Sequence, residues 1–505
     1  MNKRFLGRVR VIAALCVLVA LVAVGRLYVL QIMHGHTYAA RAEAQSTQPK
    51  TVLLDRGTIY FTDKNGVQIT AATMRDSASS TAKIRFYPGG SLAAQEIGFV
   101  AYNNDNLQKG RYGLERTYDA TLERSGSDLY TNFFVELFGG VQSLVQGGAQ
   151  QGDLITTLEP SVQAELERQL SVYNQTWRPT LAGGIIMNPQ TGEIYAMAVS
   201  PNFDLNSFNT QSDPLIYANP MVQNVYEMGS IIKPLTMAAG IDSGAVGEKT
   251  TYNDTGCITV DTKKICNFDL KARGTIPMQQ VLSQSLNLGA SFVATQMGPA
   301  VMRDYFLNHY KIGSKTGIDL PSEQSGLTSN LHAAQQVGYD TASFGQGIAM
   351  TPIETARALS VLANGGYLVV PHLVKALRYT SGVTNELDWG AREQVLKPET
   401  AVAVSRMLTA VVDTALAGGQ DKLEHYSVAA KTGTAQIANP AGGGYYTDRF
   451  LHSFFGYFPS YDARFVVFLF AVEPSGAKYA SQTLAPPWHS LTQFLINYYD
   501  VPPDR

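Results

Sequence analysis

The sequence predicts an α/β chain: an antiparallel sheet flanked by helices, preceded by a small module and one N-terminal transmembrane helix. Three observations predict it. Strand patterns cluster at 183–199 and return after Ala429, with helical periodicity between them. Residues 34–155 carry hairpin punctuation and a different character, and the first 33 residues are basic and then apolar. At 505 residues, two folded units plus a tail are expected. An apolar content of 45% with 16% charged residues excludes a disordered or low-complexity chain. A formal net charge of −2, without a basic stripe interleaved with aromatics, argues against nucleic-acid binding.

Lys3, Arg4, Arg8 and Arg10 precede an apolar run interrupted once, by Arg26. With Arg26 snorkelling to the far interface, Val11 to Met33 gives about 23 residues, where a bilayer needs about twenty. The charge bias predicts a cytoplasmic tail (1–10), a membrane anchor (11–33), and everything after it outside. A cleaved leader is the rival, with Ala42 and Ala44 as the cleavage signal, but that signal lies far beyond the apolar stretch. Lipidation at Cys16 is disfavoured by the bulky Leu15 before it.

Within 34–155, Arg56-Gly57-Thr58-Ile59-Tyr60, the turn Asp63-Lys64-Asn65-Gly66 and Val67 to Thr70 read as a hairpin. Residues 133–145 have helical apolar spacing, read as a helix packed on its own domain, with a membrane or partner surface as the alternative. The larger unit, 156–505, begins with a helix from Pro160 to Leu170. Two strands follow, joined by Asn188 to Gly192. A long helical region is expected from Ser230 to about Met407, with a capping box at Thr351-Pro352-Ile353-Glu354 and a stop at Asn364-Gly365-Gly366. Strands at Leu451–Tyr457 and Phe465–Val472 and a helix at Pro487–Tyr499 close the chain, so both termini of this unit complete the sheet. Cys257 and Cys266 bracket a segment that reads as a hairpin turning near Asp261 to Lys264. A disulfide there suits an oxidising compartment, and two free thiols are the alternative. The histidines lack metal-ligand spacing, so neither metal nor cofactor is expected.

The chemistry rests on order, because each short motif recurs. S-x-x-K occurs at Ser80/Lys83, Ser230/Lys233 and Ser475/Lys478; S-x-N at Ser207/Asn209 and Ser285/Asn287; K-T-G at Lys315 to Gly317 and Lys431 to Gly433. Only Ser230, Ser285 and Lys431 stand in the order nucleophile, relay, strand with fitting surroundings. Ser230 opens an apolar helix at its positive end, and Lys233 follows on the same face. A serine hydroxyl needs a base, and no His-Asp pair is evident. Lys233 serves only when neutral, which burial and a second cation, Lys431, both promote. Ser285 passes protons between the lysines and the leaving amine, and Asn287 offers its amide to a substrate backbone. The backbone N–H groups of Ser230 and Thr434 form an oxyanion hole, a device worth about 3 to 4 kcal/mol. The strand after Lys431 aligns a peptide by edge pairing, while Lys431, Thr432 and Thr434 hold its terminal carboxylate, with Gly433 between them. The remaining occurrences are expected to be structural.

These triplets are a known signature of penicillin-binding proteins and class A β-lactamases. Asn188 to Met197, Phe344-Gly345-Gln346-Gly347 before Thr351-Pro352, and Ala363 to Gly366 also resemble landmarks of the transpeptidase domain. Arg56-Gly57 and Gly113-Leu114-Glu115 resemble the pedestal of class B members, so the resemblance covers most of the chain. Roughly 125 residues between anchor and catalytic unit are too few for the glycosyltransferase domain of a class A protein. The resemblance implies a serine D-Ala-D-Ala transpeptidase with carboxypeptidase side activity. Its substrates would be peptidoglycan stem peptides, with β-lactams as covalent inhibitors. It further implies a SEDS-type glycosyltransferase and divisome proteins as partners, with division nearer than elongation. The pedestal is short for the family, and Leu286 stands where relatives often have serine. The competing readings are a β-lactamase, against which anchor and pedestal count, and a non-catalytic division scaffold, against which the intact motifs count.

Overall fold

The computed structural model describes residues 17–19, 21–22, 55–77, 83–102, 108–124 and 151–505. Residues 17–19 and 21–22 are helical and exposed. The rest of the anticipated 11–33 span, the 1–10 tail and the 133–145 stretch lie outside the described residues. Among the described residues no helix is long and apolar enough to cross a membrane.

Leu54 to Arg505 form one unit. Its main elements begin with β1 (Ile59–Thr62), β2 (Gln68–Asp76), β3 (Lys83–Phe86), β4 (Gly152–Thr156), α1 (Pro160–Trp177), β5 (Leu181–Met187) and β6 (Ile194–Ser200). There follow α2 (Lys233–Asp242), β7 (Cys257–Val260), β8 (Lys263–Cys266), α3 (Met278–Ser283), α4 (Asn287–Arg303), α5 (Pro352–Ser360), β9 (Val374–Tyr379) and β10 (Thr384–Glu386). Last come α6 (Pro398–Thr414), β11 (Ala429–Ala438), β12 (Tyr445–Phe458), β13 (Phe465–Val472) and α7 (Ala485–Tyr498).

The β1–β2 hairpin forms at the anticipated turn, where Asp63 Oδ1 accepts from the backbone N–H groups of Asn65 (2.8 Å) and Val67 (2.7 Å). Its sheet has six strands in the order β10-β9-β4-β1-β2-β3. The expected boundary at 155/156 therefore falls inside β4, which pairs parallel with β1 and antiparallel with β9. Pedestal and catalytic unit share one sheet because β9 and β10, from the middle of the larger unit, extend it. In the pedestal Arg56 Nε and Arg85 Nε, the latter on β3, each lie 2.7 Å from a different oxygen of buried Glu115, and Arg56 also meets Asp119 at 2.8 Å.

The central sheet is antiparallel in the order β6-β5-β13-β12-β11. Both of its faces are covered, which the alternation along β13 shows: Val466, Phe468 and Phe470 pack in one core, Phe465, Val467, Leu469 and Ala471 in the other. The second core is closed by α1 and α7 through Val162, Leu166, Leu170, Trp488, Leu491 and Leu495. The other face carries the lobe containing α2, α4, α5 and α6. Helix α5 starts with the anticipated capping box between Thr351 and Glu354.

The expected helical region from Ser230 to about Met407 is corrected in part. Besides the anticipated β7–β8 hairpin, short strand pairs that were not expected interrupt it, among them a ladder between Thr251–Asp254 and Gly274–Pro277. These strands are four residues long, and their pairing is local and largely polar, so they leave little period-two apolar signal. Cys257 and Cys266 face each other across β7–β8 and are disulfide-bonded, with Cα atoms 4.1 Å apart.

Candidate active site

Ser230 sits in a 3-10 turn, Gly229–Ile232, that leads directly into α2. Burial of Ile231, Ile232 and Leu235 leaves Ser230 partly exposed on the remaining side. Two glycines let neighbouring backbones close on this turn. A Cβ on Gly433 would lie 2.4 Å from Ser453 Oγ and 2.8 Å from Met228 O. Gly345 has φ +79°, and a Cβ there would lie 2.2 Å from Gly229 O. The 344–347 segment and β11 are thereby pressed against the serine.

Lys233, one turn on, is 1% exposed. Its Nζ lies 3.0 Å from Ser230 Oγ, 3.2 Å from Ser285 Oγ and 2.6 Å from the Ser285 carbonyl oxygen. Ser285 occupies the link between α3 and α4 in the left-handed region, φ +55°. For a residue with a Cβ this conformation costs about 1 to 2 kcal/mol. It is held by Leu286, fully buried beside it, and it turns the Ser285 carbonyl and hydroxyl toward the same amine. Lys431, on β11, closes the set: its Nζ donates to Ser285 Oγ at 3.1 Å and to Thr432 O at 2.9 Å. Ser230, Lys233, Ser285 and Lys431 thus form one continuous chain of polar contacts.

Burial pushes the Lys233 ammonium well below its usual range, and the like charge of Lys431 pushes it further. Lys431, also buried, is lowered by desolvation to about 7. Near neutral pH the pair favours carrying one proton rather than two.

Strand β11 is the sheet's edge, so its outer backbone groups are not taken by a further strand of the sheet. Thr432, Thr434 and Gln436 line the cleft from it at alternate positions. Thr434 Oγ1 accepts from the Ala480 N–H at 3.0 Å, which leaves its own proton to donate outward. Asn287 begins α4 and lines the cleft, with Nδ2 donating to Cys266 O at 3.0 Å, so the disulfide hairpin and the Ser285–Asn287 turn are tied together. The cleft encloses about 850 Å³.

Of the other motif occurrences, Thr316 is buried and donates through N and Oγ1 to Glu323 Oε1, at 2.6 and 2.7 Å, a loop-building role. Lys83 lies in β3 and Ser80 outside the described residues; Ser207 and Asn209 lie in a short helical segment, Leu205–Thr210. Ser475 sits in a turn, its N–H bonded to Trp177 O. Lys478 corrects the sequence reading, because it lines the cleft together with Tyr479. Phe268, Gln436 and Tyr445 also line it and were not anticipated. Phe268 and Tyr445 lie outside the motifs in sequence, while Gln436 continues the alternation of Thr432 and Thr434 along β11, a signal that could have found it.

The profile of the penicillin binding protein transpeptidase domain matches residues 182–490. The chain is 28% identical over 438 residues to penicillin-binding protein PbpB of Mycolicibacterium smegmatis, covering 83% of this chain and 65% of that protein. It is 29% identical over 433 residues to Stage V sporulation protein D of Bacillus subtilis, covering 85% of this chain and 66% of that protein. It therefore spans just under two thirds of the length of each. Among solved structures, penicillin binding protein 3 of Mycobacterium tuberculosis, complexed with aztreonam, superposes with a TM-score of 0.77 at 26% identity, covering 89% of this chain and 97% of that one. A match over more than half the chain, on the fold and side-chain cluster described above, establishes that the chain belongs to the penicillin-binding protein transpeptidase family.

Proposed function

We propose that the protein is a class B peptidoglycan D,D-transpeptidase that crosslinks stem peptides through an acyl-enzyme on Ser230. One observation carries this reading: the serine hydroxyl and two buried lysine amines meet around Ser285 Oγ, beside an edge strand able to pair with a peptide.

In this mechanism the donor peptide adds to β11 as a further strand. Thr432, Thr434 and the charged form of Lys431 take its terminal carboxylate. Neutral Lys233 removes the Ser230 proton as Oγ attacks the penultimate D-Ala carbonyl. The N–H groups of Ser230 and Thr434 stabilise the resulting oxyanion. As the tetrahedral centre collapses, the C–N bond breaks and the leaving D-Ala amine takes a proton from the Ser285 hydroxyl. Lys233 and Lys431, both within hydrogen-bond reach of Ser285 Oγ, restore that proton. An acceptor amine then attacks the ester, its proton returns along the same path, and Ser230 is released. Asn287 presents its amide to the peptide backbone. The steps use only the chain's own groups.

The basic and apolar N-terminal segment supports residues 11–33 as an anchor that places the catalytic unit outside the cytoplasmic membrane. The family resemblance supports a SEDS-type glycosyltransferase and divisome proteins as partners, and the sporulation relative supports division over elongation.

Fluorescent penicillin added to the membrane fraction of cells expressing the full chain tests the activity. The wild-type protein gives one labelled band, and Ser230→Ala abolishes it. Undiminished labelling of the variant would place the nucleophile elsewhere.

A further inference from the structure

The cleft differs in charge from the rest of the chain. The protein as a whole has a formal net charge of −2, yet Lys264, Arg273, Lys431 and Lys478 line the cleft and, among the described residues, no Asp or Glu does. Two of these four cations are already accounted for. Arg273 is paired with Asp269 at 2.8 Å and with Asp254 at 3.6 Å. Lys431 is buried within the catalytic set. Lys264 and Lys478 are exposed, and among the described residues neither takes part in an ion pair.

These two lysines stand on opposite walls. Lys264 belongs to β8 of the disulfide hairpin, and Lys478 to the segment after β13 whose Ala480 N–H bonds to Thr434. The walls meet at an aromatic contact between Phe268 and Tyr479, edge to face with ring centroids 5.9 Å apart. Both rings are solvent-exposed, 53% and 36%, although large apolar rings usually withdraw from water. Lys478 Nζ lies 5.5 Å from the centre of the Tyr479 ring. The rim thus presents two unneutralised ammonium groups and two accessible rings outside the groups that hold a terminal D-Ala carboxylate.

We propose that this rim selects stem peptides bearing a second free carboxylate, on a residue other than the terminal D-Ala, over the same peptides with that carboxylate amidated. The inference rests on the transpeptidase reading above and deepens it. A partly exposed ion pair contributes modestly, so each lysine is worth about 2- to 5-fold in kcat/KM, and the discrimination is screened by salt. The second carboxylate is borne either by the donor strand, along β11, or by the acceptor strand entering against the Phe268–Tyr479 contact.

The test measures kcat/KM on four synthetic substrates with the full chain in detergent: a donor thioester and an acceptor amine, each prepared as carboxylate and as carboxamide. Wild-type protein is expected to prefer the carboxylate form of one of the two by about 5- to 20-fold, and the substrate that shows the preference identifies the strand. That ratio should fall toward one in Lys264→Gln with Lys478→Gln, and at 1 M salt, while Lys478→Arg keeps it. Equal kcat/KM for carboxylate and carboxamide in wild type overturns the proposal and leaves the transpeptidase reading standing, provided that penicillin still labels Ser230. A ratio that persists in the double variant also overturns it. Wild type that neither labels with penicillin nor turns over any of the four substrates defeats both readings.

Discussion

The pedestal and the cleft each bury cations, and they treat them in opposite ways. In the pedestal, Arg56 is 5% exposed and meets Glu115 and Asp119, while Arg85 meets the other oxygen of Glu115. In the cleft, Lys233 and Lys431 are 1% and 3% exposed and meet hydroxyl and carbonyl oxygens, with no carboxylate among their bonded partners. The consequence differs in sign. Burial alone would lower the Arg56 guanidinium, but the Glu115 and Asp119 carboxylates outweigh it and hold Arg56 above its usual range. The lysines have no such counterweight, so burial drives both down. In these two regions, burial of a cation is structural where a carboxylate is bonded to it, and chemical where none is.

This contrast can be broken by experiment. The largest effect is expected in the cleft. Lys233→Met should lower the acylation rate by a fluorescent penicillin by about 10³-fold, the middle of the range for a lost general base. The same variant should show an unchanged or higher thermal midpoint, because an unneutralised buried amine is replaced by an apolar chain of similar length. A midpoint several degrees lower would mean that Lys233 is a structural cation after all. In the pedestal, Glu115→Ala leaves two buried guanidinium groups short of their partner and should cost about 3 to 5 kcal/mol in denaturant unfolding. A loss under 1 kcal/mol would remove the distinction between the two regions.

Two smaller effects concern pH. The folded-state affinity of Lys431 for its proton corresponds to about 7, against an ordinary 10.5. Between those values the unfolded chain binds a proton that the folded chain does not, so wild-type stability should climb as pH rises through that window. Lys431→Met should flatten the climb, as melting curves at pH 7 and pH 10 would show. An equal slope in both proteins would deny the lowered affinity. Removing the Lys431 charge also relieves Lys233. The acid limb of the acylation profile should therefore move to higher pH in Lys431→Ala, and an unmoved limb would show that the two amines do not interact.

Sequence reasoning reached the elements whose signals are local. The Asp63–Gly66 turn, the Thr351–Glu354 capping box, the strand at Phe465–Val472 and the closing helix are written in short runs of residues, and each forms as expected. It failed where a short segment pairs out of pattern, as in the ladder between Thr251–Asp254 and Gly274–Pro277 inside the 230–407 lobe, whereas the 257–266 hairpin forms where it was expected. It failed again where a sheet recruits a strand from far along the chain, as β9 joins the pedestal strands.

For the cleft, the sequence by itself determined which residue types were available and in what order: a serine at a helix start, a lysine one turn on, a serine and asparagine two apart, a lysine before Thr-Gly. Spacing and side-chain chemistry are properties of the chain alone. Only the tertiary structure decided that Ser285 would lie between two amines drawn from separate elements, in a left-handed backbone state no local rule would assign to serine. It also decided that Lys478 would line the cleft while Lys315-Thr316-Gly317 would not. Desolvation and charge coupling depend on what packs around a group, and that is set by contacts between residues up to about 200 positions apart.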